Sequence, residues 1–461
     1  MRGFLMVLAA MGVSTAALAT PGAQDRVYTA DQNSNTVSVI DPVSNTLLGQ
    51  IRLGNPRPDV LSPLYKGEVN VHGLGFSPDH KTLIAISTVT NSATFIDTTT
   101  NAVKGIAYVG RNPHEGFFTP NGKEAWVVVR GEDYLAVIDP VTFKETARIK
   151  TTSGPGMVIF SKDGKRAFLA NSFNPVVEVI DVAQRKVIKK IPVVSPFSPF
   201  IQITPDGKEV WSTHKDVGKV TRIDTTTLEV RGVIDTGFIT NHLAFAASGG
   251  RTLAYVTVGG ENAVKIFTTD ATAQLVKTVP VGALPHGIWA SGDGSRVYVG
   301  LENGDAVDVI DTATSDVVGH IPIGQAPQAL VYVAHAVGQG DGRANLAPLP
   351  ASPPTVNIAL KASQGGGGRG FVVARNLGLV DMLETNVFGL KPDTVYRVFL
   401  EGRDAPVAAL KTNAKGMGTV AAIGPLRDIT PGTKQGNAQT AILVVEGDAA
   451  PSPTAAVLTG R

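Results

Sequence analysis

The chain has 461 residues, of which 50 are Gly, 29 are Pro and none is Cys. The lack of cysteine excludes disulfide bonds, Fe–S clusters, thiolate zinc sites and covalently attached c-type haem. Charged residues make up only 17% of the chain and the formal net charge is +2, so nothing favours binding to nucleic acid. The many glycines and prolines predict short strands and tight turns around a sizeable core.

The N-terminus has the pattern of a secretory signal peptide. Arg2 precedes an apolar run from Phe4 to Val13, and small residues continue to Ala19. The apolar run is shorter than the roughly 20 residues that a helix needs to cross a membrane. We therefore expect residues 1–19 to be removed and the mature protein to be periplasmic or secreted, with no membrane span.

A short strand pattern then recurs seven times. Its first copy is Val37-Ser-Val-Ile-Asp41 and its last is Val307-Asp-Val-Ile-Asp311. The last positions of successive copies are 56, 42, 42, 43, 44 and 43 residues apart. A period of this length is typical of a four-stranded blade, and seven copies predict a seven-bladed β-propeller.

The two ends of the repeat array predict how the ring closes. The chain enters at what would be a second strand, residues 26–30, and the seventh first strand, residues 328–333, comes last. Pairing these two segments would leave no open sheet edge. We therefore expect one blade to contain strands from both ends and the propeller to span residues 24–336.

These repeats resemble the YVTN family of bacterial, exported β-propeller proteins. The likeness rests on Asp-Gly turns such as Asp163-Gly164, on the Val-x-Val-Ile-Asp strands and on strand ends such as Ile191-Pro-Val193. It covers about residues 26 to 335. The family is defined mainly by its repeat, so the resemblance implies the architecture and not a particular activity.

A second domain is predicted after the repeats. Gly, Ala and Pro dominate residues 337–354, which we interpret as a linker. Apolar strands beyond it predict a small β-sandwich of immunoglobulin or fibronectin type over residues 355–461. The segment from Leu390 to Tyr396 is similar to the tyrosine corner of such sandwiches, in which the Tyr hydroxyl bonds to nearby backbone. The predicted fold class is all-β, a seven-bladed β-propeller followed by a small β-sandwich.

Histidines provide the candidate site. Four of the eight lie at the entrance to the first strand of a repeat: His72, His114, His242 and His286. First strands run along the propeller axis, so these side chains are expected to form a ring at one mouth of the central channel. Neutral imidazole binds Zn, Cu and Fe readily, and the ring is therefore a candidate transition-metal site. The alternative is that the imidazoles only bond to waters filling the channel.

Other candidate ligand-binding residues belong to the same expected face. They are Glu115, His214, Arg57, Arg111 and Gln328. We interpret the chain as a monomeric binding or interaction protein for a protein or small-molecule ligand, with its site at the His-lined mouth. One alternative is a metal-dependent enzyme that uses Cu, Zn or Fe on the His ring. Another is a propeller lyase or lactonase. No haem c, Fe–S cluster or nucleic-acid partner is expected.

Overall fold

The computed structural model describes residues 21–54, 67–248, 250–351, 355–363, 366–376, 380–424 and 440–461. The predicted signal peptide and Arg57 lie outside these ranges. The described residues form seven four-stranded sheets and one eight-stranded sheet, which confirms the all-β fold class. Within them, no helix has the length and apolarity needed to cross a membrane. One short 3-10 turn covers Gly259–Glu261.

Blades 1 to 4 are numbered in chain order. Their strands are, for blade 1, β1 (Arg26–Asp31), β2 (Thr36–Asp41) and β3 (Thr46–Arg52), for blade 2, β4 (Val71–Phe76), β5 (Thr82–Ser87), β6 (Ser92–Asp97) and β7 (Val103–Tyr108), for blade 3, β8 (Pro113–Phe118), β9 (Ala125–Val129), β10 (Tyr134–Asp139) and β11 (Lys144–Lys150), and for blade 4, β12 (Pro155–Phe160), β13 (Arg166–Asn171), β14 (Val176–Asp181) and β15 (Lys186–Pro192).

Blades 5 to 7 follow the same order, from the inner strand to the outer one. Their strands are, for blade 5, β16 (Ile201–Ile203), β17 (Glu209–His214), β18 (Lys219–Asp224) and β19 (Val230–Asp235), for blade 6, β20 (Thr240–Ser248), β21 (Arg251–Val258), β22 (Ala263–Thr268) and β23 (Leu275–Pro280), and for blade 7, β24 (Pro285–Ala290), β25 (Arg296–Leu301), β26 (Ala306–Asp311) and β27 (Asp316–Pro322).

The ring closes through a strand from the far end of the repeat array. Strand β28 (Pro327–Val333) pairs antiparallel with β1, with Tyr28 opposite Val331, and becomes the inner strand of blade 1. The prediction that both ends share a blade is therefore confirmed. Each second strand lies inside the protein, as β5 does over its whole length. The core is thus a set of apolar layers between neighbouring blades.

The recurring Asp at the end of the third strands makes a turn. The Asp97 carboxylate accepts the backbone N–H groups of Thr99 and Thr100, at 3.1 and 2.8 Å. Asp139 and Asp311 accept two backbone N–H groups in the same way. An Asp side chain that bonds to the backbone two and three residues further on fixes a turn, so this repeated residue is structural.

The C-terminal region is a single eight-stranded sheet, nearly closed into a barrel. Its strands are β29 (Val356–Ala362), β30 (Arg369–Asn376), β31 (Asp381–Phe388), β32 (Val395–Leu400), β33 (Ala408–Lys411), β34 (Gly418–Gly424), β35 (Ile442–Glu446) and β36 (Ala456–Gly460). They lie in the order β33-β32-β35-β36-β29-β30-β31-β34.

This sheet differs from the expected immunoglobulin- or fibronectin-type sandwich. All eight strands form one continuous sheet. Strand β35 pairs with β32, and β36 pairs with both β35 and β29, so these two strands join the halves of the sheet instead of starting a second layer. The tyrosine-corner contact is nevertheless present, since the Tyr396 hydroxyl accepts the Lys391 N–H at 3.1 Å. The apolar core of the barrel includes Leu360, Val398 and Val444.

The segment between propeller and barrel runs along the propeller. Asn101 donates to the carbonyl oxygens of Gly342 and Ala344, at 2.9 and 3.0 Å. Gln50 and Ala347 form an isolated antiparallel bridge. The segment interpreted as a linker is therefore anchored to blades 1 and 2.

The barrel packs on the face of the propeller where the inner strands begin. Asn357 donates to the Asn303 carbonyl at 2.8 Å, in the connection between β25 and β26. The ring of Phe388 stacks on Phe238, with centroids 5.7 Å apart, just before β20. The covered part of the propeller face thus includes blades 6 and 7.

Candidate functional site

The described inner strands, apart from the short β16 of blade 5, each carry a β-bulge at the mouth of the channel. In blade 3, Pro113 lies opposite Val129 but Gly116 lies opposite Val127, so two residues of β8 share one partner. A bulge of this kind adds an unpaired residue and redirects side chains. It explains how His114 and its neighbour Glu115 both reach the channel.

The bulge also corrects the predicted register of His242. In β20, Thr240 lies opposite Val258 and Leu243 opposite Val256, which puts Asn241 at the position that His114 holds in blade 3. His242 is one residue further along, equivalent to Glu115. The sequence does not show which residue a bulge doubles, so the predicted ring position of His242 differs from the observed one by one residue. Even so, its side chain points at the same site.

The four imidazoles lie in one row. The ring centroids of His114 and His72 are 4.3 Å apart, those of His72 and His286 6.5 Å, and those of His286 and His242 4.8 Å. The row ends on Phe200 of blade 5, which stacks on His242 at 4.1 Å. The structure therefore brings all four predicted histidines together.

Neutral imidazole is the favoured form at this site. Burial lowers the pKa of His72, His114 and His242 well below the ordinary value of 6.5, and the charges of neighbouring histidines lower it further. Arg130 adds to the shift for His72 and His114. Burial also lowers the pKa of His286, although Glu302 partly opposes the shift. Neutral rings keep a nitrogen lone pair available for a metal ion.

Hydrogen bonds fix two of these rings. His114 Nδ1 donates to the Gly156 carbonyl oxygen at 2.8 Å, and His286 Nδ1 bonds to Glu302 Oε2 at 2.8 Å. In both rings the Nε2 atom is left as the available acceptor. A ring held through its other nitrogen by a carbonyl or carboxylate is the usual arrangement of a metal-binding histidine.

Glu115 supplies a carboxylate beside the first two rings. Its Oε1 lies 4.0 Å from His72 Nδ1, and among the described residues neither atom has a hydrogen-bond partner. Burial raises the pKa of Glu115 well above 4.5, while the Leu74 N–H and Arg130 act in the opposite direction. One ligand atom from each of His72, His114 and Glu115 can be chosen so that all three lie within 4.8 Å of one another.

Gly73 allows this close approach. A Cβ atom at Gly73 would lie 2.3 Å from the His114 carbonyl oxygen and 2.7 Å from Glu115 Oε2. A Cβ atom at Gly287, which follows His286, would likewise lie 2.7 Å from the Gln328 carbonyl oxygen of β28. The His-Gly pairs in blades 2 and 7 therefore let neighbouring inner strands lie against each other.

A second group of charged residues lies at this mouth and was not among the predicted site residues. Each is the first residue after the second strand of its blade: Arg130 in blade 3, Lys215 in blade 5 and Glu302 in blade 7. Lys215 lowers the pKa of His72, His242 and His286 through its charge. Comparing this one position across all repeats would have found the group, because the other four blades have Gln32, Thr88, Ser172 and Gly259 there.

The remaining predicted residues fall into different settings. Gln328 holds the ring position of blade 1 and, together with His286 and Lys215, lowers the pKa of the buried Glu302. His214 uses both ring nitrogens within blade 5, bonding to Ser198 at 2.9 Å and Thr221 at 2.7 Å. Both of its ring nitrogens are therefore engaged within the blade, and its ligand-binding role stays a prediction.

Arg111 is on the surface. Its side chain is 79% exposed and lies 3.9 Å from Glu132. Exposed ion pairs of this kind contribute little energy, and nothing directs Arg111 toward the histidines. Arg57 lies outside the described residues, so its predicted role stays a prediction.

The C-terminal barrel covers one side of the histidine row. Arg375 is almost completely buried and donates to the Glu302 carbonyl oxygen and, at 3.1 Å, to Asp305 Oδ1. Burial raises the pKa of Glu384 of β31, and the nearby negative charge of Glu302 raises it further. The His242 and His286 side of the mouth is therefore enclosed, and the His72 and His114 side lies on the neighbouring blades 2 and 3.

Comparison with known proteins shows the fold and little more. No family model matches the chain. A segment of 95 residues is 36% identical to the uncharacterized protein YncE of Salmonella typhimurium, covering 21% of this chain and 26% of that protein. The match therefore spans about a quarter of the length of the curated relative.

Solved structures agree on the architecture. A functionally unknown protein from Desulfotomaculum acetoxidans aligns with a TM-score of 0.57 and 14% identity, over 67% of this chain and 98% of its own. The periplasmic gluconolactonase PpgL of Pseudomonas aeruginosa aligns with a TM-score of 0.54 and 18% identity, over 67% of this chain and 99% of its own. The chain is a β-propeller protein. At these identities the likeness carries the fold alone.

Proposed function

We propose that this propeller is a binding protein that holds one divalent transition-metal ion, Zn, Cu or Fe, between His72, His114 and Glu115. The observation that carries the proposal is the convergence of three ligand atoms from neighbouring inner strands within 4.8 Å. Two imidazoles and one carboxylate are a donor set that all three metals accept. These ligands project from strands of a closed ring, so little movement is needed to bind.

Two buried polar atoms without hydrogen-bond partners in the described part of the chain, His72 Nδ1 and Glu115 Oε1, give the second line of support. A buried carboxylate oxygen and a buried ring nitrogen without partners are costly, because neither recovers the hydrogen bonds it made in water. In Glu115 and His72 these two atoms face each other at 4.0 Å. A cation between them would satisfy both. Three protein ligands also leave a coordination position for a further ligand.

Metal analysis of the full chain tests this proposal. Protein stripped with chelator and reloaded with Zn, Cu or Fe(II) should retain one ion per chain after dialysis. The double variant His72→Ala, His114→Ala should lose the ion, and Glu115→Gln should weaken binding at least tenfold. The matched double variant His80→Ala, His320→Ala removes two histidines outside the row and should retain it.

Two results would overturn the metal proposal. One is wild-type protein that takes up no stoichiometric ion of any of the three metals. The other is equal uptake by wild type and by the His72, His114 double variant. Circular dichroism and thermal unfolding of each variant separate loss of the site from loss of the fold. A cobalt-loaded sample adds an optical readout of the coordination number.

We further propose that the protein has YVTN-type repeats, is exported and acts as a monomer. The support is the signal-peptide pattern ending at Ala19 and the repeat motifs. N-terminal sequencing of the mature protein should begin at Thr20, and light scattering should give the monomer mass. A chain retained with Met1, or a stable dimer, would contradict this proposal.

A further inference from the structure

A cavity separates the propeller mouth from the barrel. It has a volume of about 330 Å³. The propeller contributes Lys215, Ile239 and Leu284 to its lining, and the barrel contributes Glu384, Phe388 and Met417. Ligand pockets in proteins span about 300–1,000 Å³, so this cavity is at the small end of that range. It is next to the histidine row but does not contain the metal ligands proposed above.

One end of the cavity is cationic. In the part of the chain that the structure describes, the Lys215 and Lys411 ammonium groups have no hydrogen-bond or ion-pair partner. Arg130 lies 5.9 Å from the ring centroid of Phe197, which also lines the cavity, and its buried Nε has no partner. The Glu302 carboxylate, whose pKa Lys215 lowers, balances part of this charge. Cationic side chains without a direct partner favour an anionic ligand.

Two acidic side chains also belong to the lining and offset part of this charge. The Asp216 carboxylate accepts a hydrogen bond from the Ser195 hydroxyl. The Glu384 carboxylate accepts one from Asn386 at 2.9 Å, and burial raises its pKa, which favours the neutral acid. A protonated Glu384 would also be able to donate a hydrogen bond to an anion.

The opposite wall is apolar. Ile239 and Leu284 of the propeller and Phe388 and Met417 of the barrel form one buried cluster, with Phe238 and Phe371 packed against it. A hydrocarbon group placed here would lose its water on binding, which contributes about 0.8 kcal/mol per buried CH₂. The cavity therefore combines a cationic end with an apolar wall.

We propose that this cavity binds a small organic monocarboxylate, with its carboxylate at Lys215 and its hydrocarbon body against Ile239, Leu284, Phe388 and Met417. The ligand would be enclosed between the two domains and would present its carboxylate to the His242 and His286 end of the row. This site goes beyond the metal site and does not require the ion.

Three probes of equal length but different charge test the proposal on the full, metal-free chain. Isothermal titration calorimetry or ligand-observed NMR should show binding of hexanoate. Hexan-1-ol should bind at least tenfold more weakly, and hexylammonium should not bind. Lys215→Met should lower the affinity for hexanoate at least tenfold, whereas Lys123→Met, which removes an exposed lysine of blade 3, should leave it unchanged.

A second variant tests the location by filling the cavity. Thr419 is an exposed residue that lines it, so Thr419→Trp should block hexanoate without disturbing the core. The proposal is overturned if hexanoate fails to bind, if the three probes bind alike, or if Lys215→Met and Lys123→Met behave alike. The His72→Ala, His114→Ala variant should still bind hexanoate, which separates failure of this site from failure of the metal site.

Discussion

Gly73 is the residue on which the geometry of the proposed metal site depends most directly. A methyl group there would meet the backbone oxygen of His114, which cannot turn away as a flexible side chain would. Gly73→Ala should therefore destabilise the fold by about 1–3 kcal/mol and weaken metal binding, because β4 and β8 must separate. Urea unfolding and metal titration check both effects.

Gly232→Ala is the matched control for this substitution. Gly232 lies in outer strand β19, where an added Cβ would meet nothing within 4 Å. The control should be as stable as wild type or slightly more so, since Ala is less flexible than Gly when unfolded. Equal stability of the two variants would contradict the close approach of β4 and β8.

Asp31 predicts a pH dependence of stability. This buried carboxyl accepts hydrogen bonds from Thr29, Thr36 and Ser38, at 2.7, 2.9 and 2.6 Å, yet burial outweighs them and raises its pKa from 3.8 to about 7. Between those values the folded state keeps a proton that the unfolded state has released. The stability that this proton contributes is therefore lost as pH rises from 4 to 7.

Asp31→Asn removes this titration. Relative to wild type, the variant should gain stability on the order of 4 kcal/mol as pH rises from 4 to 8, since the pKa of Asp31 is raised from 3.8 to about 7 and each pKa unit corresponds to about 1.4 kcal/mol. Urea unfolding of both proteins at a series of pH values measures the difference. Parallel stability curves for the two proteins would show that Asp31 does not titrate in this range.

At the scale of single elements, strand β28 is what closes the ring. Val331 is only 1% exposed and faces the apolar layer between blades 1 and 2, whereas Val318 in outer strand β27 is 51% exposed. Val331→Asp should lower the free energy of unfolding by about 3–5 kcal/mol, because it buries a charge without a partner. Val318→Asp should change it little.

Limited proteolysis tests whether the loss of stability in Val331→Asp comes from opening of blade 1. If β28 holds blade 1 together, Val331→Asp should expose the turn between β1 and β2 to cleavage, while wild type and Val318→Asp resist. Cleavage that begins elsewhere in the propeller would argue against closure through this strand.

The strands also show which features of the fold can be predicted from the sequence and which cannot. Seven blades and their closure were predictable, because each blade repeats the same alternating strands and the two ends supply complementary parts. The bulge at Asn241 and His242 was not, since either polar residue fits the position and only the pairing with Val256 and Val258 decides. The single C-terminal sheet was not predictable either, because β35 joins β32 across a long segment of chain.

At the scale of the whole molecule, the histidine row lies partly beneath the barrel. Nothing local in the sequence of β30 marks Arg375 as an interdomain residue, because an Arg in an alternating strand is usually exposed. Its burial follows from the docking of two separately patterned domains on each other. The barrel thereby encloses one half of a site that the propeller alone provides.

Arg375 gives the prediction that tests this docking. Arg375→Met keeps the length and apolar body of the side chain but removes the hydrogen bonds that Arg375 donates to Asp305 and to the Glu302 carbonyl oxygen. The barrel should then separate from the propeller more readily, which hydrogen exchange would detect as faster exchange in β31. Arg397→Met is the control, since Arg397 forms an ion pair with the exposed Asp448, and both residues belong to the barrel. If the barrel controls access to the mouth, Arg375→Met should also bind hexanoate more weakly and exchange bound metal faster, whereas Arg397→Met should match wild type in both measurements.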